Sequence, residues 1–403
     1  MQESFASTQE PLARCPDCGL LQRVPGSHLR AHSHCVRCNR MLRRYGPDIS
    51  ARVVGASAIL AFALLLIGYS LPIMHVRNGD RYTEATLATG PELLLQTGDW
   101  ELALALFMTL HLMPVLQVLL LAITALERRV AIVVPRAWRI ACLKLLPFVR
   151  RWSMLEIFLM GVFIAWTRLS QWLTVTAAPA LLAVFGAVVV TQVVSGALTS
   201  RRLEGEIPRL HSEHLVPRES EPNDHWRSGV ARAGALTISG YLFYIPANLL
   251  PIMTVRRLNE GGPMTILSGV RELLRDGSWV LALIVFLASV AVPLLKLFVL
   301  SGLLIMTQRR SSRGLRQRTQ LFRLIESIGR WSMLDIFVLS LLVGLVRLGV
   351  LGYVAPEPGA LAFCAVVIVT MLATELFEPK WMWDAAGQNG PAGTRVSVGV
   401  TTS

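Results

Sequence analysis

Arg151-Trp-Ser-Met-Leu-Glu-Ile-Phe158 returns 179 residues later as Arg330-Trp-Ser-Met-Leu-Asp-Ile-Phe337. The same interval separates Leu71-Pro-Ile-Met74 from Leu250-Pro-Ile-Met253, Trp100 from Trp279, Pro114 from Pro293, Arg168 from Arg347 and Thr191 from Thr370. A period this long marks a duplicated domain, not a solenoid with repeats of about 20–50 residues. Polar positions kept inside the apolar segments of both copies are where function is to be sought.

Composition says what kind of domain was duplicated. Hydrophobic residues make up 53% of the chain and charged ones 16%, with a mean hydropathy of +0.52, outside the soluble range. A bilayer crossing takes about 20 apolar residues. Windows 53–74, 102–126, 173–199 and 233–255 carry no charge, and 279–306 carries only Lys296. Windows 152–173 and 331–351 each hold one acid near the start and an arginine near the end, and 359–374 is the shortest. The expected fold is an all-α polytopic membrane protein of two parallel four-helix repeats, eight transmembrane helices in all, behind a small N-terminal zinc ribbon. The expected divisions are 1–48 for the ribbon, 49–200 for the first repeat, 201–230 for a linker without cysteines, 231–384 for the second repeat and 385–403 for a disordered tail.

Alternate connecting segments hold 29 and 8 arginines and lysines. The positive-inside rule therefore places both termini and the linker in the cytoplasm. The net charge of +13 then reflects topology and anionic headgroups rather than nucleic acid. An even number of helices per repeat makes the two copies enter the membrane in the same direction, unlike inverted repeats. Residues 1–14 are polar and contain no signal-peptide apolar region.

Cys15-x2-Cys18 and Cys35-x2-Cys38, sixteen residues apart, have the spacing of a four-cysteine ribbon that closes a tetrahedron around one structural Zn²⁺. Gly19 and Asn39 suit the positive φ of each knuckle turn. A disulfide pair is the rival, disfavoured in a reducing compartment, and a single iron also suits four thiolates. His28, His32 and His34 read as solvated loop residues, and Cys142 and Cys364 as small apolar fillers.

A ribbon, Leu-Pro-Ile-Met, a Gly-x-Trp helix entry and the Arg-Trp-Ser-Met motif, ending in Phe377-Glu-Pro-Lys-Trp-Met-Trp-Asp384, together resemble the paraquat-inducible protein A family of Gram-negative inner-membrane proteins. The resemblance covers roughly residues 15–384. It implies a periplasmic MCE-domain protein as partner, phospholipid or a related lipid as cargo, and lipid movement between membranes. Family members commonly carry a ribbon before each repeat; here the linker has no cysteine and keeps only His211, His214 and His225.

Intramembrane ionisable groups are the other signal, since they are costly and usually paired or functional. At about 1.5 Å per residue, Lys296, Asp335 and Thr370 fall at heights that permit contact on three helices. The first repeat places Gln117, Glu156 and Thr191 at the same positions, an acid without its lysine. The bland alternative has Asp335 and Glu156 capping helices or pairing with Arg330 and Arg151, and Lys296 snorkelling to the headgroups. His111 reads as packing, Thr191-Gln192 as an interhelical hydrogen bond, and Trp100, Trp166, Trp172 and Trp279 as interfacial anchors. Pro293 is expected to free a carbonyl near the cluster. The chain contains no Walker loop, Gly-x-Ser-x-Gly or haem-binding pair, so a non-enzyme is expected. Three functions stay open: a lipid transporter subunit with a proton-exchanging Lys–Asp–Thr cluster, a non-transporting anchor for the MCE partner, and a zinc- or redox-responsive sensor.

Overall fold

The computed structural model describes residues 12–23, 33–43, 51–78, 81–129, 136–170, 174–205, 225–257, 260–275, 277–346 and 353–387. Each cysteine pair sits in a knuckle between two short antiparallel strands: β1 (Leu12–Arg14) with β2 (Leu21–Arg23), and β3 (Ser33–His34) with β4 (Met41–Arg43). α1 (Ala51–Ser70) follows; the hydroxyls of Ser57 and Ser70 fold back onto the carbonyls of Val53 and Leu66, so neither is left unsatisfied. Pro72, which has no N–H to donate, lies just past its end.

A three-stranded antiparallel sheet comes next, a feature the expectation of an all-α chain lacked. β5 (Met74–Asn78) is central, between β6 (Arg81–Ala85) and β7 (Thr174–Ala177), with Met74 opposite both Ala85 and Ala177. α2 (Thr89–Thr97) ends at Gly98, whose φ of 92° closes the helix in the left-handed conformation. α3 (Trp100–Phe107) runs through a π-turn at Met108–Leu112 into α4 (Met113–Arg129). Then come α5 (Arg136–Trp152), α6 (Leu155–Leu169) and α7 (Pro179–Gly205).

The later elements follow the same order. They are α8 (His225–Leu249), β8 (Met253–Arg257), β9 (Glu260–Met264), α9 (Ile266–Arg275), α10 (Trp279–Phe286), a π-turn at Leu287–Ala291, and α11 (Val292–Gln308). α12 (Leu315–Ile328), a 3₁₀ turn at Gly329–Met333, α13 (Leu334–Val346), β10 (Tyr353–Pro356), α14 (Pro358–Leu376) and α15 (Lys380–Ala385) complete them. β8 is again central, between β9 and β10. The two π-turns lie 179 residues apart, and each ends two residues before a proline, Pro114 or Pro293.

Five helical stretches among the described residues are long and apolar enough to cross a membrane: Arg52–Ser70, Trp100–Leu126, Pro179–Gly196, Trp279–Gln308 and Pro358–Leu376. Their outward faces are large and apolar, as at Ile59, Leu182 and Phe298, which marks a multi-pass membrane protein. In the windows at 152–173 and 331–351 the α-helices begin later than the apolar run, at Leu155 and Leu334. Ser153 and Met154 are non-helical, so α6 begins only at Leu155 and has 15 residues, about 22 Å. α13 has 13 described residues.

α1 packs on α7 and α4, and α8 on α14 and α11, while α6 and α13 form the seam between the chain's halves. Small residues allow close approach: Gly68 faces Val184, and Gly240 faces Leu297 and Thr370. At the seam Phe158 meets Phe337 edge to face, with centroids 5.9 Å apart. A Cβ at Gly161 would stand 3.2 Å from that of Phe337. Gly161→Leu should therefore lower the thermal unfolding temperature in detergent, by overpacking worth about 1–3 kcal/mol. Gly302→Leu, with open space around it, should leave it unchanged; equal effects would overturn this account of the seam.

Candidate functional site

The four thiols form a compact group. Their sulfurs lie within 4.8 Å of one another, with Cys15 and Cys38, and Cys18 and Cys35, 3.5 Å apart. Sulfur–sulfur edges of about 3.8 Å are what a tetrahedral ion with 2.3 Å metal–sulfur bonds requires, so the cluster fits one metal ion. Gly19 and Asn39 adopt φ of 70° and 58°, and their N–H groups donate to the carbonyls of Cys15 and Cys35. Mutual hydrogen bonding splits the proton affinities of the thiols. Contact with Cys15, then Cys35 and Cys38, pushes Cys18 up. Hydrogen bonds to Cys15 and then Cys18 pull Cys38 down to about 6. His28 and His32 lie outside the described residues, and His34 is not part of the group.

The ribbon is seated on the second half of the chain. Arg323 of α12 donates to Asp17 at 2.7 Å and to both the carbonyl and the sulfur of Cys38 at 3.3 Å. Asp17 is buried and also pairs with Arg40 at 3.2 Å. Burial would lower the Arg323 pKa, but the charges of Asp17 and then Cys38 outweigh it and raise the value. Arg37 lies 4.6 Å over the ring of Trp383 in α15, and the four cysteines join one buried cluster with Leu300, Phe322, Phe377 and Trp383. Nothing in the spacing of the cysteines pointed to Asp17 or Arg323.

The second candidate centre is polar and lies among the helices. Lys296 on α11 is 2% exposed, and its ammonium donates to the hydroxyl of Thr370 on α14 at 3.4 Å. It rests against Gly329, where a Cβ would stand 2.5 Å from Lys296 Cε and 2.8 Å from Nζ. Asp335 begins α13 beside this site, but its side chain lies outside the described residues. The structure therefore joins two of the three expected members.

In the first half, Gln117, Glu156 and Thr191 line one small cavity with Ser153 and Gln192. Gln117 donates to Ser195 at 3.1 Å, while the Thr191 hydroxyl folds back onto Ala187 of its own helix. The interhelical bond expected of Thr191-Gln192 is made by Gln192, which donates to Glu156 at 2.8 Å and accepts from Arg150 at 3.1 Å. Glu156 also pairs with Arg330 at 2.8 Å, across the seam. Arg151 reaches the other way to Glu326 at 3.0 Å and to Glu375. The alternative pairing of Glu156 with Arg151 is thus replaced by exchange between halves. Glu156 is an acid without a lysine, but not without a cation. His111 is stacked between Tyr69 and Phe107, a packing role. Arg347 and Trp172, and the side chain of Arg168, lie outside the described residues.

The family described as paraquat-inducible protein A matches this chain at residues 52–204 and 230–387. The chain is 28% identical over 401 residues to the intermembrane transport protein PqiA of Escherichia coli strain K12, covering 92% of this chain and 95% of that one. It is 27% identical over 404 residues to the lipophilic envelope-spanning tunnel protein A of the same strain, covering 92% and 91%. A probable intermembrane transport protein of Haemophilus influenzae is 35% identical over 179 residues, 43% of each chain. No solved structure matches.

The geometry separates two roles in the ribbon. Purified protein should contain one metal ion per chain, and Cys15→Ser combined with Cys35→Ser should abolish it. Arg323→Ala should leave metal content at the wild-type level but expose the ribbon to limited proteolysis, because Asp17 keeps only Arg40 and the ribbon loses its ionic tie to α12. Metal retained in the double variant, or unchanged proteolysis of Arg323→Ala, would refute these assignments.

Proposed function

The chain belongs to the paraquat-inducible protein A family, and on that premise we propose that it is an inner-membrane subunit of an intermembrane lipid transport system. In this reading it loads or extracts a phospholipid or related lipid and works with a periplasmic MCE-domain partner. It has eight spans in two parallel four-helix repeats, with both termini and the linker cytoplasmic. α6, α8 and α13 join the five membrane-length apolar stretches as spans, and the ribbon carries one structural Zn²⁺. Two of the relatives are named as intermembrane transport proteins and a third as an envelope-spanning tunnel protein. The match to the family in two stretches, with like elements in like order, supports the duplication.

One observation carries the transport reading over a passive anchor: Lys296, out of solvent on a membrane-crossing helix, hydrogen-bonded to Thr370. Taking an ammonium out of water costs several kcal/mol, a cost that tethering alone does not require. Asp335, at the start of α13, is the carboxyl proposed to exchange a proton with that amine. Gain or loss of the proton changes the charge held between α11, α13 and α14, and so biases one packing of these helices against another. Glu156, Gln117 and Thr191 form the first-half counterpart.

Lys296→Ala and Asp335→Asn should each abolish complementation of a deletion strain at normal membrane abundance, checked by immunoblot. Gln117→Ala should be milder, because it strands no full charge. Lipid extracted from purified wild-type protein should identify the cargo class. Full complementation by both charge variants would make the anchor the better reading.

A further inference from the structure

Alignment of the halves at the 179-residue interval pairs Lys296 with Gln117 and Gly329 with Arg150. In the second half the cation comes from α11 and crosses the place where position 329 would carry a side chain. A Cβ there would stand 2.5 Å from Lys296 Cε, so a side chain at position 329 would have to displace the end of the lysine from where it now lies. The first half shows the opposite choice. The shorter Gln117 stops at Ser195, 3.1 Å away. Arg150, the counterpart of the glycine, sends its guanidinium to Gln192 at 3.1 Å. Gln192 is the neighbour of Thr191, and Thr191 is the counterpart of Thr370, which accepts from Lys296. Both cations thus reach the last long helix of their half at adjacent register positions, from different helices.

We propose that Arg150 is the positioning cation of a second polar site in the first half, replacing the lysine that this half lacks. It acts through Gln192, whose amide relays the charge to Glu156 at 2.8 Å. Glu156 in turn holds Arg330 of the second half at 2.8 Å. A chain of four side chains, Arg150, Gln192, Glu156 and Arg330, therefore fixes the first half's polar site to the seam. A guanidinium keeps its proton at all physiological pH, so this site holds a permanent charge where the other holds an amine. The functional part of the inference rests on the transport reading above; the structural part does not.

The test transplants one arrangement into the other half of the full-length protein. Arg150→Gly should lower the unfolding temperature in detergent by roughly 3 °C or more, and Arg150→Lys should lower it less. Gln117→Lys alone should also lower it, because the new ammonium meets the Arg150 side chain. The double variant Gln117→Lys/Arg150→Gly recreates the Lys–Gly pair and should unfold at a higher temperature than the sum of the two single losses allows. A double variant at or below that sum overturns the proposal, as does an Arg150→Gly variant indistinguishable from wild type. Complementation measured in parallel separates the two readings. Restored stability with full activity in every variant leaves the substitution of Arg150 for lysine standing and removes its link to transport.

Discussion

A lipid interior offers no water to a backbone carbonyl or a charge, and the element boundaries of this chain answer to that constraint. Pro114 has no N–H for the carbonyl of Leu110, four residues earlier, and the hydroxyl of Tyr69 donates to that oxygen at 2.8 Å. Near Pro293 the hydroxyl of Tyr244 serves Val290 at 3.2 Å. The π-turn before each proline is the local cost of keeping one long helix through it. Thr109, Thr237 and Thr374 satisfy their hydroxyls within their own helices. Charged side chains are gathered where α5 meets α6 and where α12 meets α13, so that they can answer one another.

That gathering also joins the two halves. Glu156 takes its guanidinium from the second half, and Arg151 finds its carboxylates there. Such exchanged pairs add little net stability, because each ion gives up hydration, but mispairing them would leave charges without partners. They therefore specify how the halves fit. The Phe158–Phe337 edge contact, worth about 0.5–1.5 kcal/mol beyond its buried area, and the close approach at Gly161 supply attraction at the same seam.

Much of this was legible in the sequence, for reasons that differ by element. The ribbon was readable because its signal is local: two knuckles, with Gly19 and Asn39 adopting the positive φ their turns need. The long apolar helices were readable because lipid-facing surface demands an unbroken composition. The three-stranded sheets were not. β5 and β7 are short, and they pair Met74 with Ala177 across a distance no periodicity records. The break before α6 was not readable either, because neither Ser153 nor Met154 is a residue that stops a helix by its own chemistry. At the polar sites, residue types and heights put Lys296 near Thr370, and the two side chains lie 3.4 Å apart. The partners of Glu156 depend on how two halves pack, as does the contact between Asp17 and Arg323, 306 residues apart.

The seating of the N-terminal ribbon on α12 and α15 bears on how the molecule is made. A chain emerges from the ribosome N-terminus first, at about 5–20 residues per second. The four cysteines are therefore complete long before Arg323 or Trp383 exists. For tens of seconds the ribbon has only its own strands and knuckles to hold its shape, without the helices that it later packs on. Its docking then becomes one of the last steps of assembly, and a chain cut short before α12 would carry a folded ribbon with nowhere to sit.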